Sequence, residues 1–194
     1  MGPEAFTDYM GWSRPGRTTQ HPVGLVYTTH YCADCAALNE EILARFLVCD
    51  GDAVLRRSHF FAGRFENIYI ATERIPALVP ILARARDYAV GITGIDASRL
   101  RVGFWFNAMR PGDVTLPHSH DDDDELLSAA YYLHVPAQSG DLLLREGART
   151  ARITPQPGQF VFFAPQCLHE VTRNDSGALR LSLGINFGLA EAAD

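Results

Sequence analysis

The sequence predicts a mainly β protein, a double-stranded β-helix (jelly roll) with N-terminal helices packed on one face. Three observations predict it. After Asp96, eight short candidate strands follow one another, separated by turn signals. Before Asp96, two stretches repeat apolar residues at helical spacing. In the last strand Leu179, Leu181, Leu183 and Ile185 alternate with Arg180, Ser182 and Gly184, which gives two chemically different faces.

Taken in order, residues 1–22 carry Gly11, Pro15 and Gly16 and read as a loosely ordered leader. Val23–Thr29 has the composition of a short strand. Leu38, Ile42, Leu43, Phe46 and Leu47 predict an amphipathic helix over about 36–48. Ile75, Leu78, Ile81, Leu82 and Ala85 predict a second helix between about 73 and 90, with Pro76 in its first turn, a kink at Pro80 and a stop at Gly91. The expected strands are Leu100–Met109, Thr115–His118, Leu127–Val135, Asp141–Arg145, Arg149–Thr154, Gln159–Ala164, Leu168–Arg173 and Leu179–Gly188. Between them lie Arg110-Pro111-Gly112, Gln138-Ser139-Gly140, Pro155-Gln156-Pro157-Gly158 and Asn174-Asp175-Ser176-Gly177. Residues 23–98 thus read as the α-rich part of one domain whose β-helix core is 99–194.

A chain of 194 residues buries one good core and is short for two. No apolar run approaches the roughly 20 residues that span a bilayer, and the polar N-terminus shows no signal-peptide core, so a cytoplasmic location is expected. A net charge of -6 speaks against nucleic-acid binding. All 17 basic residues are Arg, which removes Schiff-base and P-loop lysine chemistry and leaves anion binding to Arg or protonated His. Cys32 and Cys35 form a CxxC, but a second pair for a zinc site and the βαβ context of a thioredoxin motif are both missing. Free thiols are the expectation for Cys32, Cys35, Cys49 and Cys167.

The stretch Pro117-His118-Ser119-His120-Asp121-Asp122-Asp123-Asp124-Glu125 carries the chemistry. Positions 118, 120 and 122 fall at two-residue spacing, which places them on one face of an extended segment. His169 follows an apolar run about fifty residues later. Two close ligands and a distant imidazole suit an open site for Fe(II) or Mn(II). The ligand set has three versions. Read forward from Asn107 it is His118, His120 and His169; read back from Ser128 it is His120, Asp122 and His169. A cupin-type spacing, Gly112-x5-His118-x-His120-x4-Glu125, adds Glu125, although Tyr132 stands where that motif ends in Gly. The remaining acids read as a solvated loop.

Arg180 lies eleven residues after His169, and Ser182 shares its face. An Arg and a hydroxyl projecting between two sheets make a clamp for a carboxylate. Alternation shows that one face of this strand is core, and the spacing to His169 favours placing Arg180 inside the barrel.

Together these residues resemble the 2-oxoglutarate- and Fe(II)-dependent oxygenases, most of all a bacterial and phage subgroup with an HxH motif. The resemblance rests on Trp105-Phe106-Asn107, Gly112-Asp113, His118-Ser119-His120, Ser128-Ala129-Ala130-Tyr131-Tyr132, Pro155-Gln156-Pro157-Gly158, Leu168-His169 and Arg180-Leu181-Ser182-Leu183-Gly184-Ile185-Asn186, over about residues 100–188. It implies that His118 and His169 bind iron with 120 or 122 as third ligand, and that Arg180 and Ser182 bind the distal carboxylate of 2-oxoglutarate. It also implies places in the cosubstrate pocket for Asn107 and for Tyr131 or Tyr132. The chain departs from the wider superfamily in having His120 where HxD is usual, and in two extra residues before the Ser128 strand. The implied activity is O2-dependent oxidation of a small molecule or side chain, with His118, His120, His169 and Arg180 as the catalytic set. The rival expectations are a cupin-type dioxygenase or isomerase that works without 2-oxoglutarate, and a non-catalytic barrel that binds ligand without metal.

Overall fold

The computed structural model describes residues 27–49, 51–61, 63–120 and 125–190. The predicted leader and the run Asp121–Asp124, with its ligand alternative Asp122, lie outside the described residues. Along the chain the elements are β1 (Thr28–Tyr31), α1 (Ala36–Val48), β2 (Val54–Phe61), β3 (Arg64–Ile70), α2 (Leu78–Thr93), β4 (Leu100–Met109) and β5 (Thr115–His118). They continue as β6 (Glu125–His134), β7 (Leu142–Glu146), β8 (Arg149–Ile153), β9 (Gln159–Phe163), β10 (Leu168–Val171) and β11 (Arg180–Leu189).

Two antiparallel sheets face each other. The larger has the order β1-β9-β6-β11-β4-β3-β2 and the smaller β5-β10-β7-β8. Non-sequential neighbours in both sheets mark the jelly-roll winding expected of eight strands after Asp96. Both helices cover the outer face of the larger sheet. Phe46 of α1 meets Phe106 of β4 at 4.9 Å between ring centroids, and Tyr88 of α2 meets Phe160 of β9 at 5.5 Å. Leu181, Leu183, Ile185 and Phe187 of β11 are fully buried and form the apolar floor beneath the helices. Arg180, Ser182 and Gly184 therefore face the space between the sheets, as the alternation requires.

The helices differ from expectation in detail. α2 begins at Leu78, so Pro80 falls in its first turn, where a missing N–H breaks no helical bond, and it causes no kink. The helix runs through Gly91 and stops at Gly94, whose φ of +70° makes the left-handed cap and whose N–H bonds Val90 O at 2.9 Å.

The stretch before Asp96 is also more than helical. The hairpin β2–β3, turned at Gly63 with φ of +82°, extends the larger sheet beyond β4, and β1 closes its other edge. Cys32 and Cys35 are not free thiols: they are joined in a disulfide with Cα atoms 5.4 Å apart, at the start of α1. Cys49 and Cys167 remain free. Among the described residues no helix is long and apolar enough to cross a membrane.

Candidate metal and cosubstrate site

His118 ends β5, and His169 is its direct register partner in β10. The two imidazoles therefore stand side by side through local strand pairing, with ring centroids 4.2 Å apart. His120 lies just past the end of β5, where its N–H bonds Pro165 O at 2.8 Å. That bond returns its ring to within 5.3 Å of His118 and 5.1 Å of His169. One ring nitrogen from each of the three falls within 4.8 Å of the others. Of the expected ligand sets, this is the one that the described residues bring together. Glu125 stands outside the cluster, its Oε1 accepting from Asn186 Nδ2 at 3.2 Å.

Two of the three imidazoles are oriented by backbone carbonyls. His118 Nδ1 lies 2.8 Å from Leu116 O, and His169 Nδ1 lies 2.9 Å from Cys167 O. A carbonyl only accepts, so Nδ1 carries the proton in each ring and the Nε2 lone pair is left for a ligand. Burial holds the His169 imidazole well below its ordinary pKa, His118 and His120 push the same way, and the Cys167 carbonyl opposes them. A neutral imidazole is the form that a metal ion takes.

The histidines open on a pocket between the sheets that Arg180, Ser182, Tyr132 and Asn107 also border. Arg180 is 1% exposed, one of the largest fully buried side chains. Its Nη1 donates to Ser139 O at 3.2 Å and Gly140 O at 2.8 Å, while its Nε has no partner among the described residues. Its guanidinium lies over the Tyr132 ring, 5.2 Å from the centroid. Burial lowers the Arg180 pKa, with Tyr132 and Asp141 pulling it back up. Burial also pushes the Tyr132 phenol up to about 12, against the pull of Arg180. Tyr132 Oη is buried against the Arg180 guanidinium, and its O–H has no acceptor among the described residues. A buried guanidinium without a carboxylate and a protonated phenol without an acceptor leave an anion-shaped deficit.

Gly140 builds this end. A Cβ there would lie 2.2 Å from Thr172 O, at a φ of +96°. Only glycine lets the loop after β6 come close enough to present its carbonyls to Arg180.

The remaining predicted residues divide. Tyr131 points the other way, its Oη donating to Asn39 Oδ1 of α1 at 2.7 Å, so it supports the helix and not the pocket. Asn107 borders the pocket with both ends of its amide engaged: Nδ2 donates to Thr115 Oγ1 at 3.2 Å, and Oδ1 accepts from Arg64 at 3.4 Å. Arg64 was not foreseen. It ties β3 to the loop before β5 by donating to Val114 O at 2.9 Å and Thr115 Oγ1 at 3.0 Å. Asn67 and Phe163, which also line the pocket, were missed as well. The hairpin that carries Arg64 and Asn67 has Gly63 as its only clear signal in sequence.

The donor set fits the group that the family resemblance implies. Three neutral imidazoles leave positions open on a first-row divalent ion, and the unpartnered Arg180 Nε and Tyr132 Oη suit a carboxylate.

No protein-family model matches the chain, and no curated protein matches it by sequence. Solved structures match its fold. A prolyl-4-hydroxylase from Pseudomonas putida superposes with a TM-score of 0.67 at 22% identity, over 84% of this chain and 91% of that one. The non-heme alpha ketoglutarate dependent carbocyclase SnoK from nogalamycin biosynthesis gives 0.65 at 17% identity, over 84% and 79%. EvdO2 from Micromonospora carbonacea var. aurantiaca, complexed with 2-oxoglutarate, gives 0.61 at 16% identity, over 87% and 89%. At these identities the likeness is one of fold, and it bears out the double-stranded β-helix.

Proposed function

We propose that the protein is a non-haem Fe(II)- and 2-oxoglutarate-dependent oxygenase acting on a small molecule. The observation that carries the reading is the sharing of one pocket by the His118–His120–His169 cluster and the buried, half-partnered Arg180. Structures of the same fold include one complexed with 2-oxoglutarate and another with Fe3+ and alpha ketoglutarate, which supports the choice of cosubstrate.

In this reading the three imidazoles would hold the iron, and Arg180 with Ser182 would take the distal carboxylate of 2-oxoglutarate. Tyr132 Oη donates a further hydrogen bond to that carboxylate. Arg64 and Thr115 hold the Asn107 amide in place as a polar wall. The net conversion joins one oxygen atom of O2 to the substrate and the other to succinate, with release of CO2; bound iron supplies the redox chemistry. Phe163, packed 4.9 Å from the His169 ring, and Trp105, 5.5 Å from the His120 ring, keep water from the metal end.

The test is to load the protein with Fe(II) without oxygen, add 2-oxoglutarate, record the iron spectrum, and then admit O2. A new visible band and succinate release are expected. An unchanged spectrum with no succinate would overturn the proposal.

A further inference from the structure

A second recess adjoins the first on the inner face of the larger sheet, sharing Trp105 and Asn186 with it. Register places its walls. Asn186 stands opposite Gly103, and Gly188 stands between Arg101 and Glu125, so two glycines form an open floor between a guanidinium and a carboxylate. Nothing within 4 Å would meet a Cβ at Gly103 except Asn186 O, at 4.0 Å. On the other side Arg56 lies over the Tyr69 ring, 4.5 Å from the centroid, and Tyr69 leads to Trp105 at 6.4 Å.

Two buried acceptors in this recess have no partner among the described residues: Glu125 Oε2 and Asn186 Oδ1. The orientation of the Asn186 amide is fixed, because Glu125 Oε1 accepts and only Nδ2 can donate to it. A buried acceptor left unpaired costs roughly 1–3 kcal/mol and calls for a donor. Two protein oxygens are too few for a hard divalent cation, which takes six or more. The chain contains no Lys, so no lysine ammonium can serve as that donor.

Resting on the oxygenase reading, we propose that this recess is the substrate subsite and that the substrate is a small α-amino acid. Its ammonium donates to Glu125 Oε2 and Asn186 Oδ1, and its carboxylate faces the guanidinium of Arg56. Its side chain passes Trp105 toward the three histidines. Glu125 thus recognises substrate and is not a metal ligand.

The test is calorimetric titration of the anaerobic, Fe(II)-loaded protein, with and without 2-oxoglutarate, using the twenty L-amino acids. The best binder is then compared with its decarboxylated amine and its deaminated acid. At least one amino acid should bind saturably, and both analogues should bind at least tenfold more weakly. E125Q should weaken the amino acid tenfold or more while leaving the deaminated acid as in wild type, and R56A should weaken it while sparing the amine. A misfolded variant would lose its analogue as well. If 2-oxoglutarate perturbs the iron spectrum and no amino acid saturates, or if the deaminated acid binds as tightly as the amino acid, this inference is overturned and the oxygenase reading stands. Charge-dependent amino-acid binding with an unperturbed iron spectrum would support the subsite and overturn the cosubstrate.

Discussion

The two ends of the pocket are built by different means. At the metal end the smaller sheet does the work: His118 and His169 are paired across β5 and β10, and each has its Nδ1 beside a carbonyl two residues back in its own chain. At the anion end the larger sheet supplies Arg180, Ser182 and Tyr132, and a loop forty residues from Arg180 supplies the carbonyls that hold it. Both ends fix one side of a polar group with backbone and leave the other side for a ligand. The difference lies in cost. An unliganded imidazole is neutral and tolerates burial, whereas an unliganded guanidinium is charged and fully buried. The anion end therefore has more to gain from ligand.

Four measurements break or sharpen that contrast. The largest effect is expected from His169→Ala, which removes one of the three proposed ligands: iron affinity should fall by about a hundredfold or more, read by metal analysis after dialysis, with loss of succinate formation. Next, Arg180→Ala removes charge-assisted bonds worth about 2–3 kcal/mol, so 2-oxoglutarate affinity should fall roughly 30- to 150-fold while iron binding persists. Equal loss of both would mean that the two ends are not separable.

Tyr132→Phe is subtler. It deletes an O–H that has no acceptor among the described residues, so the thermal midpoint should change little while 2-oxoglutarate binding weakens by about tenfold. A drop in both would show that Tyr132 Oη is already satisfied.

The smallest effect is on pH. Burial depresses the His169 pKa, so below its unfolded value of about 6.5 the unfolded chain binds the extra proton first. Stability of the metal-free protein is then fully present above that value and declines as pH falls below it. Thermal midpoints of wild type and His169→Asn across pH 5–8 should converge at the acid end.

Much of this was legible beforehand where local chemistry is strong. β4, β5 and α1 occupy the expected residues, because the turn residues at Arg110-Pro111-Gly112 and a clear helical period fix them without help from the rest of the chain. The hairpin β2–β3 was not legible. Leu55 is 72% exposed and Phe60 is 60% exposed, so the strand shows no apolar-in, polar-out alternation. The Cys32–Cys35 bond escaped for a related reason: pairing depends on how the chain folds before α1, which spacing alone does not state. The choice between Tyr131 and Tyr132 needed α1, since alternation places them on opposite faces without saying which face α1 covers.

By itself the sequence determined the winding of eight strands, the histidines at the end of β5 and the start of β10, and an Arg on the mixed face of the last strand. Periodicity and turn chemistry are local and survive in one dimension. The tertiary structure decided which histidines meet, which side of β11 is interior, and that Glu125 turns to Asn186 and away from the metal cluster. Each of these depends on distances between residues far apart in the chain, set by sheet register and by the close approach that Gly140 permits.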